Sequence, residues 1–236
     1  MKQIDACYEN YEEANQIIIQ GAFNSRRIAE ENEFESACFI SSDKSRAATT
    51  IYGAMKYVAG ESFISNVKTI SPTLSTIVYG NVINSTGSII PVIWDHIKNN
   101  TCAYLYGKDM TRFIMHVDDA IRLIEYGLDY SSHGCNVLPK CRSARIIDIF
   151  ELYKEQFNLE YFVTQPRANE KKHEVLASSE ETSRMRYDPL KCIFLMSPKH
   201  SVISNNETSE YTSKDPLLLL SKEELKDFFQ SNNWFK

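Results

Sequence analysis

The 236-residue chain is 43% apolar and 24% charged, enough for a packed core and unlike the composition of a disordered protein. A net charge of −5 and a pI near 5.6 offer nothing for nucleic acid or an anionic membrane surface to hold, so neither is expected as a partner. No apolar run approaches the roughly 18–20 residues of a membrane span, the first residues lack a signal peptide's apolar core, and the six cysteines form no C-x-x-C pair, so reduced thiols and a cytoplasmic location are expected.

Residues 10–31 mix Glu, Gln, Asn and Ala with Ile17, Ile18, Ile19, Phe23 and Ile28 and predict a helix. Ala37-Cys38-Phe39-Ile40, ending in Ser41-Ser42, predicts a buried parallel strand that opens onto a crevice. A helical pattern returns from Tyr52 to Phe63, and Thr73-Leu74-Ser75-Thr76-Ile77-Val78-Tyr79 predicts a second strand stopped by Gly80-Asn81. This alternation is that of βαβ units around a parallel sheet. Beyond it, helices are expected at 91–99, 117–129 and 146–157, with short strands near 102–106, 113–116 and 135–138. Residues 197–215, rich in Ser, Asn, Thr and Lys, predict a loop, and Ser221-Lys222-Glu223-Glu224 is a capping box that opens a last helix. The expected architecture is α/β: part of a dinucleotide-binding sheet over residues 1–85, then a smaller α+β substrate-binding region over 86–236 whose elements intermix with the sheet.

The chemistry concentrates between residues 41 and 56. Tyr52 and Lys56 stand four apart on a predicted helix and share one face. An ammonium beside the phenol is expected to draw the tyrosine pKa down from about 10, which suits proton removal from a sugar hydroxyl during hydride transfer. Asp43-Lys44 follows the carboxyl end of the predicted strand, where doubly wound sheets take ligands. Taken singly, Tyr-x-x-x-Lys is a frequent chance pattern and Asp-Lys an ordinary solvated pair.

Order and spacing are more specific. Ser-x-Asp-Lys at a strand end, with Tyr52 nine residues after Asp43 and Lys56 four further on, resembles the inverting UDP-N-acetylglucosamine 4,6-dehydratases, extended short-chain dehydrogenases of polysaccharide biosynthesis. The resemblance continues through Tyr79-Gly80-Asn81-Val82, Ser85-x-Gly87-Ser88-x-x-Pro91, Met110-Thr111-Arg112-Phe113, Pro139-Lys140 and Arg167-Ala168-Asn169-Glu170-Lys171-Lys172-His173-Glu174. It implies a Rossmann-like fold, NADP or NAD as cofactor and a UDP-sugar substrate. By resemblance, Tyr52 assists oxidation at sugar C4, Lys44 removes the C5 proton and Asp43 protonates the departing C6 hydroxyl. Lys56 would hold the nicotinamide ribose, with Ser42, Tyr52, Tyr79 and Val82 as further cofactor contacts. Asn81 and Ser85 would meet the sugar, and Arg112, Arg167 and Glu170 the uridine diphosphate, where guanidinium forks suit phosphate oxygens. Taken apart from the family, Arg112 and Arg167 read equally as surface charges, and His173 as a local packing residue.

The chain also departs from the family. Its eight glycines include no Gly-x-x-Gly-x-x-Gly, and residues 1–4 resemble the end of the family's fourth strand. Roughly 80–100 residues, about three βα units, are therefore expected to be missing from the front, and the expected protein partner is a separate chain that supplies them, or a second copy in a homo-oligomer. Ile18 stands where the family has asparagine, Val78, Thr86 and Asp109 where it has arginines, and Ala168-Asn169 where it has Pro-Gly. An inactive remnant that keeps a nucleotide-sugar-binding shape stays open, as does an epimerase, although Asp43-Lys44 speaks against simple 4-epimerisation, which needs no C5 base.

Overall fold

The computed structural model describes residues 4–65, 72–198 and 209–235. The chain opens with α1 (Ile4–Glu9) and α2 (Tyr11–Asn15), a π-helical turn at Gln16–Gln20 and α3 (Gly21–Glu31). β1 (Ser36–Ile40), a 3-10 turn at Asp43–Ser45, α4 (Ile51–Ile64) and β2 (Thr73–Ile77) follow. Then come β3 (Asn81–Val82), α5 (Ile89–Lys98), β4 (Ala103–Tyr106), β5 (Thr111–Met115), α6 (Val117–Asp129) and β6 (Cys135–Pro139). The rest is β7 (Arg142–Arg145), α7 (Ile146–Phe157), β8 (Tyr161–Thr164), β9 (Val175–Ala177), α8 (Ser179–Thr182), β10 (Met185–Asp188), β11 (Ile193–Met196), β12 (Tyr211–Thr212) and α9 (Lys222–Ser231).

Every helix expected from periodicity is present, with one interruption. Three consecutive isoleucines fall in the π turn, where β-branched side chains would crowd a regular α turn. Ile18 is buried there against the cluster of Tyr52, Phe63 and Leu74, while Ile17 is exposed. Of the strand expected over residues 1–4, residues 1–3 lie outside the described residues, and Ile4 begins α1 instead. Of the loop expected at 197–215, residues 199–208 likewise lie outside them, and Tyr211–Thr212 is a short strand. Strands β7 to β11 have no counterpart among the expected elements.

The chain packs as two interleaved compact units. The first is Met1–Tyr79, Asp118–Lys140 and Val175–Tyr211, and the second is Gly80–Val117, Cys141–Glu174 and Thr212–Lys236. The sequence placed one boundary at residue 85 with later elements intermixed; here segments 118–140 and 175–211 return to the first unit.

The first unit holds a five-stranded sheet in the order β1-β2-β6-β11-β10. β1, β2 and β6 run parallel, and the hairpin β10–β11 joins β6 antiparallel. Successive residues of β2 serve opposite faces, as a strand requires. Thr76 donates to the Gly60 carbonyl of α4 at 2.9 Å, and Ser75 donates to the Gly127 carbonyl of α6 at 3.0 Å. Glycine is needed at both helix positions, because a methyl on Gly60 would meet Thr76 Cγ2 at 3.0 Å and one on Gly127 would collide with Ile77. Both faces of the parallel sheet are thus covered by helices, the doubly wound arrangement that the βαβ reading implied. β1 is an edge among the described residues, and all five of its residues are partly exposed.

The second unit packs α5, α7 and α9 with the strand sets β3-β5-β7 and β4-β8. Its core is aromatic: Tyr153, fully buried, lies at 5.5 Å from Trp94 and Phe235 and at 6.3 Å from Phe229. Tyr153 Oη donates to the Trp234 carbonyl at 2.6 Å, so the last helix and the residues after it seal the core. The capping box read from the sequence forms: Ser221 accepts from the Glu224 N–H and Glu224 from the Ser221 N–H.

One histidine in each unit titrates below its ordinary value. His133 accepts the Leu74 N–H on Nδ1 at 3.1 Å, so its ring must be unprotonated there, and burial holds its pKa down. His173 is lowered by burial first and then by the Lys172, Lys214 and Arg112 charges. Between these folded values and about 6.5 the unfolded chain binds more protons, so stability rises with pH through that window. The contribution is complete above about pH 6.5 and is lost as pH falls through the folded values. The melting temperature should therefore drop as pH falls below about 6.5, and His133→Gln should flatten part of that drop in calorimetry.

Candidate functional site

β1 ends at Ile40 and the chain turns at once. Ser41 N–H donates to the Ile77 carbonyl at 2.7 Å, and Asp43 N–H to the Tyr79 carbonyl at 2.9 Å, so the turn is tied to the end of β2. Ser42 caps the 3-10 turn: its Oγ accepts the Lys44 N–H at 3.3 Å and donates to Asp43 Oδ1 at 2.8 Å. Lys44 Nζ reaches the same oxygen at 3.2 Å. Asp43 is buried, while Lys44 is about one quarter exposed.

α4 begins directly against this turn. Thr50 caps it by accepting the Gly53 N–H at 3.1 Å. A methyl on Gly53 would collide with the Lys44 carbonyl oxygen and stand 3.1 Å from the Lys44 carbonyl carbon, so only glycine lets helix and turn approach this closely. Tyr52, one residue earlier, is 7% exposed. Burial pushes its phenol up to about 12; the Lys44 charge works against that rise and the Asp43 charge adds to it.

This corrects the expectation that Lys56 lowers the tyrosine pKa. Lys56 Nζ donates to the Ile40 carbonyl at 2.8 Å and lies 4.7 Å from the centre of the Phe39 ring, anchored to the strand end. Burial lowers its own pKa. The charge that favours the Tyr52 phenolate is Lys44. Buried Cys7 stands beside both, close enough to raise Tyr52 and Lys56 slightly. Tyr79 is raised by burial too. Ser42, Asp43, Lys44, Tyr52, Lys56 and Tyr79 all lie in the first unit.

The second unit contains a cavity of about 440 Å³, within the range of about 300–1,000 Å³ usual for small-molecule sites. Asn81, Val82, Arg112, Arg167 and Glu170 all line it. Ser85 does not; its carbonyl accepts the Ser88 N–H at 2.9 Å, and Ser88 lines the cavity instead. Tyr104, Tyr106 and His96, which also line it, were not singled out from sequence, and Ser88 entered only as part of a motif, with no role of its own. Of these only Ser88 had a signal, as the polar residue just before the apolar run of α5.

Arg112 is held internally. It donates to Glu170 Oε1 at 2.8 Å, to the Thr111 and Lys172 carbonyls at 2.8 and 3.2 Å, and has Glu174 Oε1 at 3.7 Å. Arg167 lies over the Tyr106 ring at 4.4 Å. Three oxygens of cavity residues, Asn81 Oδ1, Ser88 Oγ and Glu170 Oε2, are buried with no partner among the described residues. Buried oxygens without partners are costly, and a ligand with donor groups would satisfy them.

The departures in this region are tolerated in different ways. Asp109 pairs with Lys172 at 3.3 Å on the surface. Asn169 has φ 62°, a left-handed conformation that asparagine enters more readily than other residues with a side chain, so the loop keeps a shape suited to glycine. His173 bonds Thr111 Oγ1 at 2.8 Å, and Thr111 Oγ1 in turn meets Ser213 Oγ at 2.7 Å, a local clasp and not a reactive set.

A profile described as polysaccharide biosynthesis protein matches residues 1–194. The chain belongs to the polysaccharide biosynthesis protein family. Among curated proteins of this kind it is 30% identical over 241 residues to an uncharacterized membrane protein of Methanocaldococcus jannaschii, covering 96% of this chain and 71% of that one. It is 27% identical to the inverting UDP-N-acetylglucosamine 4,6-dehydratase of Campylobacter jejuni, over 80% of this chain and 57% of the dehydratase. A Rickettsia bellii UDP-glucose 4-epimerase is 29% identical over 78% of this chain and 55% of its own length. The chain thus spans little more than half of the dehydratase and of the epimerase. Among solved structures, Pen from Bacillus thuringiensis superposes with a TM-score of 0.88 at 24% identity, covering 99% of this chain and 74% of Pen, and shares the fold. No helix among the described residues is long and apolar enough to cross a membrane.

Proposed function

We propose that this family member acts on a UDP-linked N-acetylhexosamine by NAD(P)-dependent 4,6-dehydration, and that its cavity takes the nucleotide part of that substrate. The observation that carries the reading is the pairing of Lys44 with Asp43 beside Tyr52, whose ionisation both of them bias. A 4-epimerase has no use for that acid–base pair, whereas dehydration needs a base at C5 and an acid at C6.

The residues present fit the nicotinamide-ribose end of the cofactor: Tyr52 and Lys56 share one face of α4, and Lys56 is anchored at the end of β1, where such sheets take ligands. The sequence has no Gly-x-x-Gly-x-x-Gly turn of the kind that meets the cofactor pyrophosphate. A bound nicotinamide would take the hydride from C4 and later return one to C6. In this reading Tyr52 takes the proton of the C4 hydroxyl, Lys44 as free amine takes the C5 proton, and Asp43 as the acid gives a proton to the C6 hydroxyl, which leaves as water. When hydride reaches C6, C5 takes a proton back from one of the two groups then protonated, Lys44 or Tyr52. Ser42 orients the Asp43 carboxyl, and Tyr79 holds the turn through its carbonyl. Asn81, Val82 and Ser88 would meet the ligand at the cavity wall. Arg167 and Glu170 would hold diphosphate and ribose, and Arg112 would share the diphosphate while it orients Glu170.

UDP-N-acetylglucosamine should raise the melting temperature through preferential binding to the folded state, and more than GDP-mannose does. Arg167→Ala should weaken that binding by about tenfold to a hundredfold, the cost of one charge-assisted hydrogen bond. With NADP or NAD and a separately supplied front half of about three βα units, incubation should yield a 4-keto-6-deoxy sugar by proton NMR. A C4 epimer in its place would establish an epimerase, and no melting shift with any UDP compound at millimolar concentration would establish the inactive remnant.

A further inference from the structure

The segment that carries Asp43 and Lys44 has no regular structure beyond one 3-10 turn, and the residue that ends the turn is Arg46. Its side chain is 3% exposed. Nη1 reaches Glu181 Oε1 at 2.6 Å and Glu61 Oε1 at 3.3 Å, and Nη2 reaches Asn136 Oδ1 at 2.6 Å. Asn136 Nδ2 closes the set on Glu61 Oε1 at 3.3 Å, and the guanidinium lies 5.6 Å from the Tyr57 ring centre. The Arg46 N–H also donates to the Asp43 carbonyl at 3.1 Å.

Each partner belongs to a different element of the first unit. Glu61 is on α4, the helix that presents Tyr52 and Lys56; Asn136 is on β6; and Glu181 is on α8. Glu181 is itself fixed, since its Oε2 accepts the Ser178 N–H at 3.0 Å in a capping box. A planar guanidinium holds its donors in a fixed fork and so fixes the directions of the acceptors it meets, whereas a lysine's point charge leaves them free and an apolar side chain meets none. Buried ion pairs contribute little net stability compared with apolar packing, and their best-attested use is to specify one arrangement. Here the segment so specified is the short turn next to the proton-transfer groups.

We infer that Arg46 is a positioning residue, which sets the Asp43–Lys44 turn against α4 through Glu61, Asn136 and Glu181 and so fixes where the Lys44 charge stands relative to Tyr52. The consequence for turnover rests on the dehydratase reading; the structural role does not. Arg46 touches no reacting atom in this assignment and acts only through the turn.

The test needs no turnover. Lysines of the whole chain are reductively methylated with carbon-13, and the Lys44 signal is assigned by its loss in Lys44→Arg. In Arg46→Met the Lys44 resonance should move to the position of freely exposed lysines. Amide exchange at residues 43, 45 and 46 should quicken by at least about tenfold relative to amides in β2, as local opening would produce. Glu181→Gln, which keeps a capping side chain but removes the ion pair, should give the same pair of signatures to a smaller degree and covers the case in which Arg46→Met does not fold. An unmoved Lys44 signal with wild-type exchange in the turn overturns the inference, as does an equal acceleration across the turn and β2, the mark of simple destabilisation. If UDP-N-acetylglucosamine gives no melting shift while both signatures appear, the dehydratase reading falls and the positioning role stands.

Discussion

A Lys44→Met chain should bind a UDP-sugar as the wild type does and yet release the sugar C5 proton about 10²–10⁴ times more slowly, the usual cost of losing a general base. Binding is spared because Lys44 is not among the residues that line the cavity with Arg167 and Glu170. The loss has a second component. Lys44 is the cation that opposes the rise of the Tyr52 phenol to about 12, so removing it pushes that phenol higher still and makes C4 oxidation harder. Asp43→Asn acts on Tyr52 in the opposite sense, since the Asp43 charge raises it. Washout of deuterium from C5-labelled UDP-N-acetylglucosamine, followed by NMR, separates the base from the oxidation step. Full washout in Lys44→Met would remove Lys44 from the role of base. A wild-type chain that epimerises C4 with no exchange at C5 would remove the role itself.

Gly53→Ala should be the most damaging small substitution in the first unit. Its methyl has no space: the Lys44 carbonyl oxygen is in collision range, the carbonyl carbon at 3.1 Å and Thr50 Oγ1 at 3.2 Å. All three are backbone or capping atoms, so relief requires moving either the start of α4 or the turn. Overpacking of this kind costs about 1–3 kcal/mol, read as a lowered denaturation midpoint with an unchanged slope. Catalysis should suffer beyond that, because the displaced atoms belong to Lys44 itself. Gly21→Ala supplies the contrast. Gly21 has helical dihedrals and its nearest neighbour to a new methyl is Gln16 O at 3.8 Å, an ordinary contact. Alanine there should stabilise by about 0.5–1 kcal/mol on helix propensity alone. If the two substitutions behave alike in urea, the close approach at Gly53 does not govern the turn.

Much of this site was legible because its signals are local. A small polar pair after an apolar run, an Asp-Lys, and a tyrosine and lysine four apart are spacings along one strand, one turn and one helix, and local geometry brings them together. Lys56 was placed correctly on the helix, but its influence was misread, because the acceptor that anchors it, the Ile40 carbonyl, lies sixteen residues away. Arg46 was invisible for the same reason on a larger scale: its tightest ion pair spans 135 residues to Glu181. The hairpin β10–β11 was missed because Met185–Asp188 alternates apolar and polar over only four residues and Ile193–Met196 is a four-residue apolar run, each at the lower limit of a strand signal. What binds it is β6, whose register with β11 runs from Pro139 against Ile193 to Asn136 against Met196, a pairing between segments more than fifty residues apart. Ser85 and Ser88 sit in one motif, and only the turn ahead of α5 decides which of them faces the cavity.

The sealing of the second unit by α9 has a consequence for synthesis. Ile83 and Ile90 leave the ribosome more than a hundred residues before Leu225, Phe229 and Trp234, the residues that complete the same core. Until that last segment emerges, Tyr153 and its aromatic neighbours have no lid, and an emerging chain presents an oily, aggregation-prone surface of the sort chaperones grip. A message cut between residues 170 and 222 would leave a polypeptide with every residue of the cavity encoded and no α9 to close the core behind it.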